Sequence, residues 1–132
     1  MTNELKSKLE SFLKRNPDGF TMKLADGVLY TGNMFYAVGL SHITDISFYE
    51  NKTENDINIL IEDIIAKFKD TYYLPFLYAK TIGGWHDVDT GQDCVDYGVI
   101  VLNEDVALSL AKFCNQKAIY DFEKQESVFI GE

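Results

Sequence analysis

The segment GGWHDVDTGQDCVDYG, residues 83 to 98, collects most of the chain's reactive side chains. It holds the single tryptophan, Trp85, one of two histidines, His86, and the aspartates Asp87, Asp89, Asp93 and Asp96, with Cys94 among them. Residues of these types support three kinds of chemistry. Alternating carboxylates around a glycine can hold calcium, as in an EF-hand loop. Here the glycine is misplaced, the third aspartate is shifted, and Gly98 stands where a bidentate glutamate is needed. Strand-like patterns flank the segment where an EF-hand has helices, so no metal is expected. A histidine next to an acid and a thiol can build a small hydrolytic or metal site, and His86, Asp87 and Cys94 are the trio that would do it. Carboxylates around an exposed tryptophan can instead make a protein-binding surface, because Trp and Tyr are frequent interface anchors.

The rest of the chain adds little reactive chemistry. His42 is the other histidine, and no P-loop, G-x-S-x-G or H-E-x-x-H pattern occurs. Asp87 with Glu104 is a conceivable acid/base pair, but surface carboxylates are common and a raised pKa needs burial. Cys94 and Cys114 lack C-x-x-C spacing, and the chain opens on an amphipathic segment without an apolar signal core. Two free thiols in a reducing cytoplasm are therefore expected. No catalytic residue and no cofactor are assigned.

Charge narrows the partners. The 132-residue chain has a formal net charge of −9. Lys6, Lys8, Lys14, Arg15 and Lys23 face only Glu4, Glu10 and Asp18 within residues 1–23, so the acidity lies in the remainder. Direct DNA binding is not expected, since phosphate neutralisation supplies most of its affinity. An anionic membrane would repel this body, and no run reaches the length of a transmembrane span. A basic protein would be attracted to it. Trp85, Asp87, Asp89, Asp93 and Asp96, with Tyr72 and Tyr73 from the aromatic cluster Tyr72, Tyr73, Phe76 and Tyr78, form the expected contact set.

The elements that must position these residues follow from periodicity. An apolar content of 46% with two prolines suits one folded domain over 1–132. Residues 1–18 form an amphipathic helix through Leu5, Leu9, Phe12 and Leu13, stopped by Asn16-Pro17-Asp18-Gly19. A sheet-and-helix body over 19–132 follows. Phe20, Met22 and Leu24 alternate as a strand with a hairpin turn at Asp26-Gly27, and VLYTG and FYAVGL read as further strands. Thr53 and Asp56 make a capping box for a helix striped by Ile57, Leu60, Ile61, Ile64, Ile65 and Phe68, widened by Ile59 and closed at Leu74-Pro75. FLYAKTIGGWHD and DCVDYGVIVLN form a hairpin, with a bulge or close contact at Gly83-Gly84 and a turn in which Asp89 bonds its own backbone and Gly91 takes positive φ. Asn103 caps a last helix with Ala107, Leu110, Ala111 and Cys114 on one face, and two short strands end the chain with Ile119, Val128 and Ile130 inward. The expected class is α+β: a mostly antiparallel sheet with three helices packed on it.

The stretches GGWHDVDTGQ and NEDVALSLAKFCNQKAIYDFEKQE, with GFTMKL and YAVGL upstream, resemble small uncharacterised proteins encoded by phages, prophages and conjugative elements, particularly of Bacteroidetes. The shared pattern is Gly-Gly-Trp-aromatic-Asp, a Thr-Gly turn, an acid-opened helix and Gln-x-Ala-Ile-aromatic-Asp. This sequence departs from it at His86 and at Cys94-Val95. The resemblance implies mobile-element cargo. By analogy it implies a non-enzymatic inhibitor of a host defence nuclease, of the anti-CRISPR type, contacting a basic effector or its guide complex. Two other readings stay open: a small enzyme using His86, Asp87 and Cys94, and an accessory protein that self-associates, as a homodimer for instance, through its first helix or a strand edge.

Overall fold

The computed structural model describes residues 4–41, 44–69 and 77–130. His42, Tyr72, Tyr73, Leu74, Pro75 and Phe76 lie outside them. The elements run α1 (Glu4–Arg15), β1 (Phe20–Lys23), β2 (Tyr36–Gly39), β3 (Thr44–Asp45), a 3-10 turn (Ile46–Tyr49), α2 (Glu54–Lys69), β4 (Leu77–Asp87), β5 (Gln92–Val101), α3 (Glu104–Phe113), β6 (Ala118–Asp121) and β7 (Glu126–Phe129). All strands join one antiparallel sheet in the order β1-β4-β5-β2-β6-β7, and β3 also pairs with β5. The protein is a single α+β domain of three α-helices on an antiparallel sheet.

Each helix carries the signals its sequence announces. In α1 Leu5, Leu9 and Leu13 recur every fourth residue and are buried, so this helix is core. It stops where Asn16 turns back, donating its backbone N–H and its Nδ2 to Phe12 O. At the start of α2 the capping box closes in both directions: Asp56 N–H donates to Thr53 Oγ1 at 3.1 Å, and Thr53 N–H to Asp56 Oδ2 at 2.8 Å. Asn103 Oδ1 accepts from Val106 N–H to cap α3. That helix ends in a Schellman turn: Asn115 sits at φ 58, Gln116 N–H reaches Ala111 O, and Asn115 N–H reaches Lys112 O.

Strand alternation sorts side chains between two faces. Met22, Val38, Ile82, Val95, Val99 and Val101 share one buried cluster with Leu5, Leu9, Ile57, Ile61, Phe68 and Leu110, so all three helices cover that face. Tyr49, fully buried, donates its hydroxyl to Val95 O at 3.2 Å and pins the 3-10 turn to the middle of the sheet. The opposite face carries Thr21, Ala37, Gly39, Thr81, Gly83, Trp85, Asp96, Gly98, Ile100 and Tyr120, as the strand registers require.

Four local expectations are corrected. VLYTG contributes one bridge, Leu29 to Met22, and no strand. After Tyr30 N–H bonds Thr21 O, the Tyr30 hydroxyl donates to Met34 O and folds the chain across the sheet. Gly83-Gly84 does not interrupt β4: pairing is continuous from Ala79 to Asp87, and the irregularity falls at Leu77–Ala79. The close-contact alternative does hold at Gly84, where a Cβ would stand 2.9 Å from the Phe20 ring. Ile59 is 57% exposed and does not widen the buried stripe of α2. The fourth correction belongs to the hairpin tip.

Candidate binding face

The β4–β5 hairpin places most of the residues first singled out. Val88 to Gly91 form its turn, with Gly91 at φ 74 and its N–H on Asp87 O at 2.7 Å. Asp87, rather than Asp89, makes the side-chain bond: its Oδ1 accepts from Asp89 N–H at 2.9 Å. A carboxylate two residues upstream of the donor closes this loop, and position 87, the last of β4, meets that geometry. Asp89 stands at the exposed tip beside Val88, which is 83% exposed.

Alternation divides the candidate trio. His86 and Asp93 are direct cross-strand partners, with His86 Nδ1 and Asp93 Oδ1 2.8 Å apart. Trp85, Asp87, Cys94 and Asp96 project from the other face, because Trp85 opposes Cys94 and Asp96 opposes Gly83. His86 therefore does not converge with Asp87 and Cys94. Burial pushes the Cys94 thiol above its ordinary pKa, and the charges of Asp87, Asp96 and Asp93 push it further, so it is held as a poor nucleophile. Burial alone raises the Cys114 thiol to about 11. Asp87 and Glu104 lie beyond opposite ends of the ten-residue β5, a separation of roughly 30 Å, and cannot act as a pair. The calcium-like spacing does not close either, with Asp87 committed to the turn and Asp93 to His86. Among the described residues no group of three or more His, Cys, Asp or Glu could hold a metal.

The arrangement does concentrate negative charge. Asp18 joins the hairpin end: Pro17 O accepts from His86 N–H at 3.0 Å, and Asp18 and Trp85 line one hollow. Asp45 pairs with Cys94 from the other side. The lysine–carboxylate pairs among the described residues, Lys6–Glu10, Lys8–Glu54, Lys23–Asp26, Lys67–Asp63 and Lys80–Glu62, all involve α1, α2 or the strand ends beside them. Trp85, 41% exposed, rises from the middle of the acidic end.

A second feature was not foreseen. An aromatic chain crosses the helix-free face: Phe35 meets Tyr78, Tyr78 meets Tyr30, Tyr30 meets Phe122 edge-on at 4.7 Å, and Phe122 meets Tyr120. It ties the segment after β1 to the β6–β7 hairpin across a concave sheet. Tyr120, at the end of this chain, also lines a groove of about 320 Å³ to which Thr21 contributes from one edge of the sheet and Ser127 from the other. The sequence signal was the alternation in AIYDF, which sends Tyr120 outward once Ile119 points in. What it lacked was the curl that brings β6 and β7 round to face β1.

No described helix is long and apolar enough to cross a membrane. No protein-family model, curated protein or solved structure matches the chain.

Proposed function

We propose that the chain is a non-catalytic binding domain that engages a basic protein surface through the acidic end of its β4–β5 hairpin. The carrying observation is the gathering of Asp18, Asp87, Asp89 and Asp96 at the hairpin end that bears the half-exposed Trp85, with Asp93 beside His86 on the reverse of the same hairpin, away from the lysine pairs of the helical side. Opposite potentials speed encounter and fix register, while an aromatic anchor supplies the desolvated centre that binding energy needs. A surface that binds nucleic acid is a basic surface of the kind such an acidic face complements. The resemblance to mobile-element proteins makes a host defence nuclease, a CRISPR effector or its guide complex, the proposed target.

The test is capture from bacterial lysate at graded salt with the intact chain and with the triple variant Asp87→Asn, Asp89→Asn, Asp93→Asn. Asparagine keeps the Asp87 acceptor, so the turn survives. The expected result is a nucleic-acid-binding protein that is retained at low salt, released at high salt, lost with the triple variant and hindered from binding its nucleic acid. Recovery of no such protein at any salt, or unchanged recovery by the triple variant, refutes the reading.

A further inference from the structure

We propose that the free edge of β7 is a self-association surface, on which a second copy of this chain lays its own β7 antiparallel and extends the sheet across a two-fold axis. The two ends of the sheet differ. At the β1 end the outer backbone groups are already bonded: Lys23 N–H donates to Val28 O and Tyr30 N–H to Thr21 O. At the other end β7 pairs with β6 alone. Ile130 N–H donates to Lys117 O at 2.9 Å, continuing the register that sets Phe129 opposite Ala118. Hydrogen-bonded and non-bonded pairs alternate along an antiparallel ladder. Val128 and Glu126 therefore also bond β6, while the N–H and C=O of Ser127 and Phe129 point away from it. Among the described residues nothing meets those four groups. Open edges are ordinarily blunted by lysine, proline or a bulge. The run Ser127-Val128-Phe129-Ile130 has no charge and no proline, and its register with β6 is unbroken.

The side chains argue for the same strand as the occupant. With the axis at Val128, Ser127 of each copy faces Phe129 of the other. Each such pair exchanges two N–H···O bonds, so every outward group finds a partner at once. Ser127 and Phe129 stand opposite Tyr120 and Ala118 and share the helix-free face, while Val128 and Ile130 pack toward the core. Phe129 is 76% exposed. Ser127 borders the hollow lined by Tyr120, Phe122 and Gln125. Side chains directly opposite on one face have Cβ atoms about 5 Å apart, so each copy delivers its phenyl ring over a small serine beside the other's aromatic hollow. Projection and recess on one surface are the self-complementarity that an isologous interface needs. Glu126 comes opposite Ile130 and meets no second carboxylate, so two chains of net charge −9 can approach along this run. A strand from a basic partner would find no counter-charge within it. The other amphipathic element, α1, has Leu5, Leu9 and Leu13 buried in its own core and offers no apolar face to a copy.

Sedimentation equilibrium of the full chain from about 10 µM to about 1 mM reads the assembly, and amide hydrogen exchange at both ends of that range locates it. The expected result is a monomer–dimer equilibrium with a Kd on the order of 100 µM. The Ser127 and Phe129 amides exchange fast when dilute and slowly when concentrated, and Val128 is protected throughout. Ser127→Pro deletes an outward donor and no bond to β6, so the hairpin survives and the dimer is lost. Phe129→Ser removes the ring and raises Kd at least tenfold. Thermal melts establish that each variant is folded, and either one serves if the other does not fold. Val88→Ser, at the β4–β5 tip, leaves the dimer unchanged. Raising salt from about 50 mM to about 500 mM tightens the dimer by screening two like-charged chains, whereas it releases a basic partner, so the two readings stand or fall separately. A monomer throughout the range, growth past dimers, a dimer indifferent to both edge variants, or one lost with Val88→Ser overturns the proposal. A chain that stays monomeric and captures a foreign protein lost with Ser127→Pro also overturns it, assigning the edge to a heterologous strand.

Discussion

Replacing Gly98 by alanine tests whether the sheet curls as tightly as the groove requires. Gly98 lies in β5, opposite Gly39 on one side and Thr81 on the other. A Cβ there would stand 3.1 Å from the Val38 carbonyl carbon and 3.2 Å from Gly39 Cα, and closer still to the Val38 carbonyl oxygen. All three are backbone atoms of β2, so relief means displacing a strand whose Val38 is packed in the core. In an uncrowded strand, glycine to alanine returns about 0.5–1 kcal/mol of backbone entropy. Overpacking against rigid neighbours costs about 1–3 kcal/mol and sometimes more. The expected net loss is about 2 kcal/mol, which for 132 residues lowers Tm by roughly 7 °C. Gly39→Ala is the matched control, because its Cβ meets a flexible glutamine at 3.5 Å and the Ser41 carbonyl oxygen at 4.0 Å, both ordinary contacts; it should stay within about 1 kcal/mol of the parent. Paired thermal and urea unfolding of both variants gives the answer. A Gly98→Ala protein as stable as Gly39→Ala would refute the tight coiling and, with it, the walled groove.

Asp121, 3% exposed, accepts from Glu123 N–H at 2.9 Å and Lys124 N–H at 3.1 Å through one oxygen and so shapes the β6–β7 turn. Asp121→Ala should cost about 1–3 kcal/mol by leaving those donors unmet, and Asp121→Asn, which keeps the acceptor, clearly less; urea midpoints separate the two, and equal losses would contradict the role. Cys114, raised from 9.0 to about 11 by burial, keeps its proton in the folded state while the unfolded chain loses it. Its contribution to stability is therefore full below pH 9, declines as pH rises toward 11, and is flat beyond. Melting curves across this range should show that extra decline in the parent and its loss in Cys114→Ala; parallel curves would contradict the burial argument.

Much of the fold was legible because its signals are local. The fourfold leucine spacing of α1, the Thr53–Asp56 box and Asn103 each act within one helical turn, and each is found where the residues require. The hairpin was legible too, since a Thr-Gly turn between alternating runs leaves few choices. The candidate site was legible in composition and not in shape. Alternation alone sets His86 apart from its neighbour Asp87, but setting it apart from Cys94 takes the hairpin register, which depends on where the turn closes, and Asp87 proved to be the turn's acceptor. VLYTG has strand composition, yet Tyr30 finds its partners in Met34, Tyr78 and Phe122. Two of those three lie far off in sequence, so no window of local propensity contains them. The groove was invisible for the same reason, since its two walls are separated by about a hundred residues of chain. Tyr72 and Tyr73 lie outside the described residues.

The two thiols have a consequence through their placement. Cys94 projects from the helix-free face, whereas Cys114 follows a helix that packs on the other and feels Tyr97 there. A whole sheet stands between them, so no disulfide can close between Cys94 and Cys114 within one molecule. No disulfide between the two therefore fixes the shape offered to a partner, and any disulfide that either thiol forms must be made with another molecule.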